Sequence, residues 1–270
     1  MILITGGGGL LGSYLIEAFP GQQVVVMNRG MHDLTRKDDV KRLMECKPEV
    51  IIHAAGMTNV DECENRPLEA VAQNRDSTMN LVTQMHPGGK FVYISTDMVY
   101  PDTMGPHLEH DVGPINAYGR SKLAGERAAA VNARHLIIRT NFFGPSRVEG
   151  RRSFSDWAIE SLTNGHTPLF FTDVFWSPLH MKTLSTLIRT LVDKDAVGIY
   201  NVGASGPAMS KAAFVQHLAF HKGLLEQFNK AALGPSSFKT QRPHDLSMDV
   251  TKLMKLGILT PSIVGEIAKL

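Results

Sequence analysis

The chain opens on Met1–Leu15, MILITGGGGLLGSYL, and the reading of this stretch decides the fold. Met1–Thr5 is a nearly continuous apolar run, as strands buried on both faces are. A helical pattern begins at Leu10, and between the two lies a run of glycines. Gly6, Gly9 and Gly12 stand in a G-x-x-G-x-x-G spacing. Gly6 allows a tight turn, Gly9 lets a pyrophosphate approach the backbone, and Gly12 lets the helix pack close to the sheet. The phosphates would sit at the positive end of that helix. A glycine pattern alone is weak, but a strand before it and a helix after it supply the context that a dinucleotide site needs. Gly6, Gly9, Leu10, Leu11 and Gly12 are therefore candidate cofactor contacts.

Working outward, four further strand candidates follow: QVVVMN, EVIIHAA, KFVYIST and RHLIIRTNFF. Helical stretches lie between them, at Leu10–Phe19, Arg36–Cys46, Pro67–His86 and Ala117–Asn132. Thr35 with Asp38 makes a capping-box-like start for the second. In the third, Leu68, Val71, Ala72, Met79, Val82 and Met85 form an apolar stripe that reads as core. Such alternation predicts an α/β protein with a doubly wound parallel sheet of the Rossmann kind. After Gly144-Pro145 the pattern loosens. A helix at FSDWAIESLTNG, an extended TPLFFTDVFW, a helix over His180–Val192 and a strand at GIYNVG precede short helical pieces broken by Gly and Pro. We expect a dinucleotide-binding domain of residues 1–145 and 178–203. A smaller, largely C-terminal substrate-binding lobe would comprise 146–177 and 204–270.

At 270 residues the chain is long enough for that arrangement. A chain of this size buries roughly 75% of its unfolded surface and needs no disulfide staples. Cys46 and Cys63 lack metal-ligand spacing and suggest a reducing compartment. A net charge of +2 is too small to argue for nucleic acid or a membrane surface. No apolar run approaches the ~20 residues of a membrane span. No basic leader precedes MILIT, so we expect a cytoplasmic protein. The histidines include no H-E-x-x-H, and no metal is expected.

Two further stretches bear on chemistry. The second strand ends VVVMNRG, with Asn28 and Arg29 where an NAD site usually has a carboxylate for the ribose 2′-hydroxyl. Arg29 can pair with a 2′-phosphate, which favours NADP and leaves NAD open; its alternative is a solvated loop cation. In NAYGRSKLAGE, Tyr118 precedes Lys122 by four residues, so both share one helix face. A phenol titrates near pH 10, and a neighbouring cation stabilises the phenolate. The pair follows the strand ending YISTD, which puts Thr96 and Asp97 at the carboxyl edge of the sheet, where ligands bind in open α/β folds.

In this order, the glycine loop, HAAG, STD, Y-x-x-x-K and RTNFFGP resemble the extended short-chain dehydrogenase/reductases. Within them, HAAGMTNVDECE, STDMVYPD, PINAYGRSKLAGE, IIRTNFFG and RPHDLSMDVTKL look closest to the dTDP-4-dehydrorhamnose reductases. The resemblance spans essentially the whole chain and implies reduction of a 4-keto nucleotide sugar with NADPH or NADH. It implies that Tyr118 is the proton donor and Lys122 its pKa partner and a nicotinamide-ribose ligand. Thr96 would polarise the carbonyl and Asp97 would bind substrate. Asp33 and Leu34 would lie by the adenine, with Ala54, Ala55, Gly56 and Thr58 along the cofactor channel. Met98 stands where the family commonly has an aromatic residue, and Phe142 where a tryptophan often contacts the sugar. Extended members commonly dimerise through the helices matching 67–86 and 117–132, so a homodimer is compatible with the resemblance.

Neighbouring activities share parts of this pattern. A 4,6-dehydratase needs an acid after the aspartate, and Met98 cannot donate a proton. A 4-epimerase uses the same tyrosine and lysine but retains NAD, against the tilt of Arg29. The regulatory subunit of methionine adenosyltransferase resembles this group and binds nucleotide without catalysis; the complete Thr96, Tyr118, Lys122 set favours an enzyme. Arg147, Arg151 and Arg152 form either a solvated basic loop or a diphosphate clamp, with Arg242 a further member of the clamp.

Overall fold

Successive strand residues are buried on alternate faces of one sheet, and this organises the molecule. The computed structural model describes residues 1–270 apart from Arg29, Met31, Pro235 and Ser236. The first half runs β1 (Ile2–Thr5), α1 (Leu10–Ala18), β2 (Val24–Met27), α2 (Lys37–Met44), β3 (Val50–His53), α3 (Val60–Asn65), α4 (Pro67–Val71), α5 (Ser77–Gln84), β4 (Lys90–Ile94) and α6 (Ala117–Ala129). The second runs β5 (His135–Arg139), β6 (Phe142–Phe143), α7 (Phe154–Thr163), β7 (Leu169–Phe171), β8 (Phe175–Trp176), β9 (Leu179–His180), α8 (Met181–Asp193) and β10 (Gly198–Asn201). After these come β11 (Met209–Ser210), α9 (Lys211–Lys222), β12 (Asn229–Ala231), β13 (Asp245–Leu246), α10 (Thr251–Lys255) and α11 (Ile263–Ile267).

Six strands form one sheet in the order β10-β5-β4-β3-β1-β2, every neighbouring pair parallel. Strand residues alternate between two cores. Ile2, Ile4, Ile52, Val92, Leu136 and Ile138 pack on the side of α1 and α8. Leu3, Ile51, Phe91, Tyr93 and Ile137 pack on the other side, with Val40 of α2 and Leu81 of α5. Both faces are covered, which is why these strands read as unbroken apolar runs. The order reverses between β1 and β3, and that switch point is where a crevice opens at the carboxyl ends.

Three smaller sheets, β11-β8-β13, β12-β7 and β6-β9, are built from residues after β5. The expected single strand RHLIIRTNFF breaks after Arg139; its last two residues pair instead with β9. The expected long helix Pro67–His86 also departs from regularity. Residues Ala72–Asp76 form a π turn, and Asn74 within it is fully buried. Its amide accepts from Met57 N (2.9 Å) and donates to Met57 O (3.0 Å) and Ser121 Oγ (2.9 Å), so tertiary hydrogen bonds offset the irregular helical pitch. The apolar stripe of that helix is only partly core: Val82 and Met85 are buried, but Leu68 is 85% exposed. The capping box at Thr35 is absent, because Thr35 turns to Asp33 Oδ1 and the N-cap of α2 is Arg36, which makes no side-chain cap.

Candidate active site

The glycine loop is shaped by backbone contacts that exclude side chains. Gly6 has φ +76°, a left-handed conformation that favours glycine, and its N–H donates to Met27 O at 3.0 Å. A Cβ on Gly12 would lie 2.2 Å from Gly6 O, so α1 sits directly on the turn. Helix α1 starts at Gly9 with no side-chain cap and no acid in its first turn. An open helix start of this kind suits an anion, and a turn without side chains lets a dinucleotide diphosphate approach. The residues present fit that group.

Helix α6 is held against the sheet edge by two devices. Asn116 caps it by accepting from Gly119 N at 2.9 Å. A Cβ on Gly119 would stand 2.1 Å from Met98 O, so only glycine lets the helix approach the loop after β4. That approach sets Tyr118 beside Thr96. Burial pushes the Tyr118 phenol well above its ordinary range. The Thr96 hydroxyl beside it partly offsets the rise, and Asp97 and Cys63 add to it. Lys122 is buried, with Nζ donating to Ile94 O at 2.7 Å and lying 4.2 Å from the centre of the Tyr93 ring. Burial brings this ammonium down to about 7, against the pull of Glu126.

These facts correct one expectation. A neighbouring lysine is expected to depress the phenol's pKa, yet burial raises it, and Lys122 gives one N–H to Ile94 O and lies over the Tyr93 ring with donors left for a ligand. Spacing fixed the shared helix face, but the carbonyl and the ring decided where the ammonium points.

Glu126, one turn beyond Lys122, is the residue that motif reading passed over. It accepts from Ser95 Oγ (2.5 Å), Arg139 Nε (2.9 Å) and a second guanidinium nitrogen of Arg139 (2.6 Å), all buried. The signal was available, since Glu126 continues the i, i+4 series of Tyr118 and Lys122 in the same quoted segment. Arg139 also donates to Glu109 O at 2.6 Å. Glu126→Ala would leave that buried guanidinium without its counter-charge, so we expect a loss of about 3–5 kcal/mol in urea unfolding. A loss below about 1 kcal/mol would contradict the role given to the pair.

A cleft of about 1040 Å³ opens at the sheet's carboxyl edge, and it joins the loop to the α6 side chains. Gly6, Gly9, Leu10, Leu11, Gly12, Asp33, Leu34, Ala54, Ala55, Gly56 and Thr58 line it, as do Thr96, Asp97, Tyr118, Lys122 and Phe142. Asn28 is exposed beside the loop, its Oδ1 3.3 Å from where a Cβ on Gly7 or on the cleft-lining Gly8 would be. Arg29 lies outside the described residues. Asp97 is buried, and its Oδ2 accepts from Asn141 at 2.6 Å, a cleft residue that the sequence reading also missed. Burial raises the Asp97 carboxyl, with Asn141, Lys211 and Thr96 opposing.

Of the basic loop only Arg151 lines the cleft. Arg147 pairs with Glu17 at 2.7 Å and Arg152 with Glu160 at 2.6 Å. Arg242 pairs with Asp61 at 3.1 Å. His107 and His110, spaced H-x-x-H, diverge: His107 is buried and stacks on Tyr100 at 4.8 Å, while His110 is exposed. Among the described residues no three metal-ligating side chains cluster, and no helix is long and apolar enough to cross a membrane.

Known proteins resemble the chain along its length. A probable low-salt glycan biosynthesis reductase of Haloferax volcanii is 30% identical, with 99% of this chain and 96% of that protein aligned. Methionine adenosyltransferase 2 subunit beta of Pongo abelii is 26% identical over 98% of this chain and 85% of its own. A crystal structure of dTDP-4-dehydrorhamnose reductase from Bacillus anthracis in complex with NADP matches in fold with a TM-score of 0.92 at 24% identity, covering 99% of this chain and 97% of that one. Residues 1–264 match the family described as the RmlD substrate binding domain, and to that family this chain belongs.

Proposed function

We propose that this chain is an NADP(H)-dependent reductase of the 4-keto group of a nucleotide-diphosphate sugar, of the dTDP-4-dehydrorhamnose reductase kind. One observation carries the reading: Tyr118, Thr96 and Lys122 line the same cleft as the Gly6–Gly12 loop. Family membership and the Haloferax reductase support it.

In this reading residues 1–145 and 178–203 hold the dinucleotide, while 146–177 and 204–270 form the lobe that closes over the sugar. Gly6, Gly9 and Gly12 admit the diphosphate, and the cleft side chains from Asp33 to Thr58 contact the rest of the cofactor. The nicotinamide, when bound, supplies the hydride. Thr96 Oγ donates to the ketone oxygen and Tyr118 gives it a proton. A phenol raised by burial stays protonated at neutral pH, which suits a donor in the reductive direction. Lys122 holds the nicotinamide ribose and relays a proton back to Tyr118. Asp97, fixed by Asn141, accepts from a sugar hydroxyl, and Phe142 packs on the ring. A homodimer through the helices of 67–86 and 117–132 belongs to the same reading, with the exposed Leu68 on that surface.

The test is incubation of the protein with NADPH and a panel of 4-keto nucleotide sugars, following nicotinamide absorbance. Stoichiometric oxidation with at least one sugar is expected. Tight NADPH binding without oxidation by any of them would favour a binding subunit instead.

Cofactor choice is a separate expectation, resting on the absence of a carboxylate at Asn28-Arg29. Asn28→Asp with Arg29→Ala should move the NADPH-to-NADH ratio of kcat/KM toward NADH by roughly tenfold or more, the scale of a charge-assisted contact. An unchanged ratio would remove the 2′-phosphate argument.

A further inference from the structure

Lys211 is a half-buried ammonium that lies against aromatic rings and has no acceptor side chain bonded to it among the described residues. It begins α9, and its Nζ lies 2.8 Å from the Trp176 ring centre and 4.7 Å from that of Phe154. Among the described residues Nζ donates no hydrogen bond and forms no ion pair. Asp97 attracts it and Arg242 repels it, while burial holds its pKa well below the ordinary lysine range. Asp97 does not satisfy it: one oxygen accepts from Asn141 at 2.6 Å and the other meets Thr96 Oγ at 3.1 Å. Its three N–H donors have no protein acceptor among the described residues, and from this half-buried position they can be offered to an oxygen of a molecule in the cavity.

The side chain faces a second cavity, of about 300 Å³, walled by Phe170 and Phe238 and lined also by Arg242. Met98 and Asn141 line both this cavity and the catalytic cleft, so a molecule reacting beside Tyr118 can extend into it. Arg242 is paired with Asp61 through one terminal nitrogen while its Nε has no acceptor, so two lining cations keep donors, and Lys211 is the one with no carboxylate bonded to it among the described residues.

We propose that Lys211 receives an anionic oxygen of the nucleotide-sugar substrate. The inference rests on the reading of the cleft as a nucleotide-sugar site. The oxygen belongs either to the diphosphate or to a carboxylate on the sugar, and two ligands separate these sources: dTDP-glucose and dTDP-glucuronate.

Binding of each to the NADP-loaded protein is measured by titration calorimetry for wild type, Lys211→Met and Lys211→Arg. Lys211→Met should raise the Kd by about 10–100-fold, the worth of hydrogen bonds to a charged group, and Lys211→Arg should retain most of the affinity. A merely structural role would alter NADP affinity or the melting temperature, which should not fall in Lys211→Met. Equal loss for both ligands assigns the diphosphate, and loss for dTDP-glucuronate alone assigns the carboxylate. Kd values within twofold of wild type for both ligands overturn the inference, as does a wild-type protein that binds neither. The functional reading fails differently: a wild type that binds dTDP-glucose through Lys211 yet reduces no keto sugar loses its reductase assignment and keeps this one.

Discussion

Tyr118→Phe should lower kcat by about 10³-fold, within the usual range for removing a positioned general acid, while the NADP Kd moves by less than about twofold. In the proposed mechanism the phenol protonates the forming alkoxide. Its neighbour Thr96 has a hydroxyl that can hydrogen-bond the ketone but is far too weak an acid to replace it. The ring of Phe fills the same space, packed with Met57 against Cys63, Ala70 and Ala117, so the change removes one oxygen and little else. Retention of more than about a tenth of the wild-type kcat would mean that another group gives the proton.

The second large effect concerns shape rather than acidity. In Gly12→Ala the new Cβ would stand 2.2 Å from Gly6 O and 2.7 Å from Gly7 Cα. Both are backbone atoms, so relief requires α1 to move away from the loop. Overpacking of this sort costs about 1–3 kcal/mol of stability. If about 1–3 kcal/mol of that strain must be relieved for the diphosphate to bind, NADPH affinity should fall by about 5–100-fold. Gly88→Ala is the control, since its Cβ meets nothing nearer than 3.4 Å. Fluorescence titration with NADPH separates the two; equal affinity for both variants would show that the loop does not hold the cofactor.

How far the sequence could be read follows from what each signal depends on. Strands covered on both faces are continuous apolar runs, so Ile51, Ile52, Phe91 and Val92 could be placed without coordinates. The glycine loop was legible because its geometry forbids side chains, and absence of a side chain is visible in a sequence. Tertiary partners were not legible. The π turn depends on Asn74 bonding to Met57 and Ser121, and apolar periodicity says nothing of such bonds. Leu68 fits a helical stripe but faces outward. Asn141 follows a strand break, and Lys211 comes within the electrostatic reach of Asp97 from more than a hundred residues along the chain. Even at Tyr118 and Lys122 the pattern gave the face and not the direction of the ammonium, which a main-chain carbonyl and an aromatic ring determine.

The most direct measurement of the central claim uses NADPH deuterated at the transferable position of nicotinamide C4, with a 4-keto nucleotide sugar as substrate. The account predicts one deuterium at C4 of the product sugar for each NADPH consumed, and none in Tyr118→Phe on the same timescale. A product whose C4 hydrogen comes from solvent, or a sugar recovered unreduced beside intact NADPH, would contradict it.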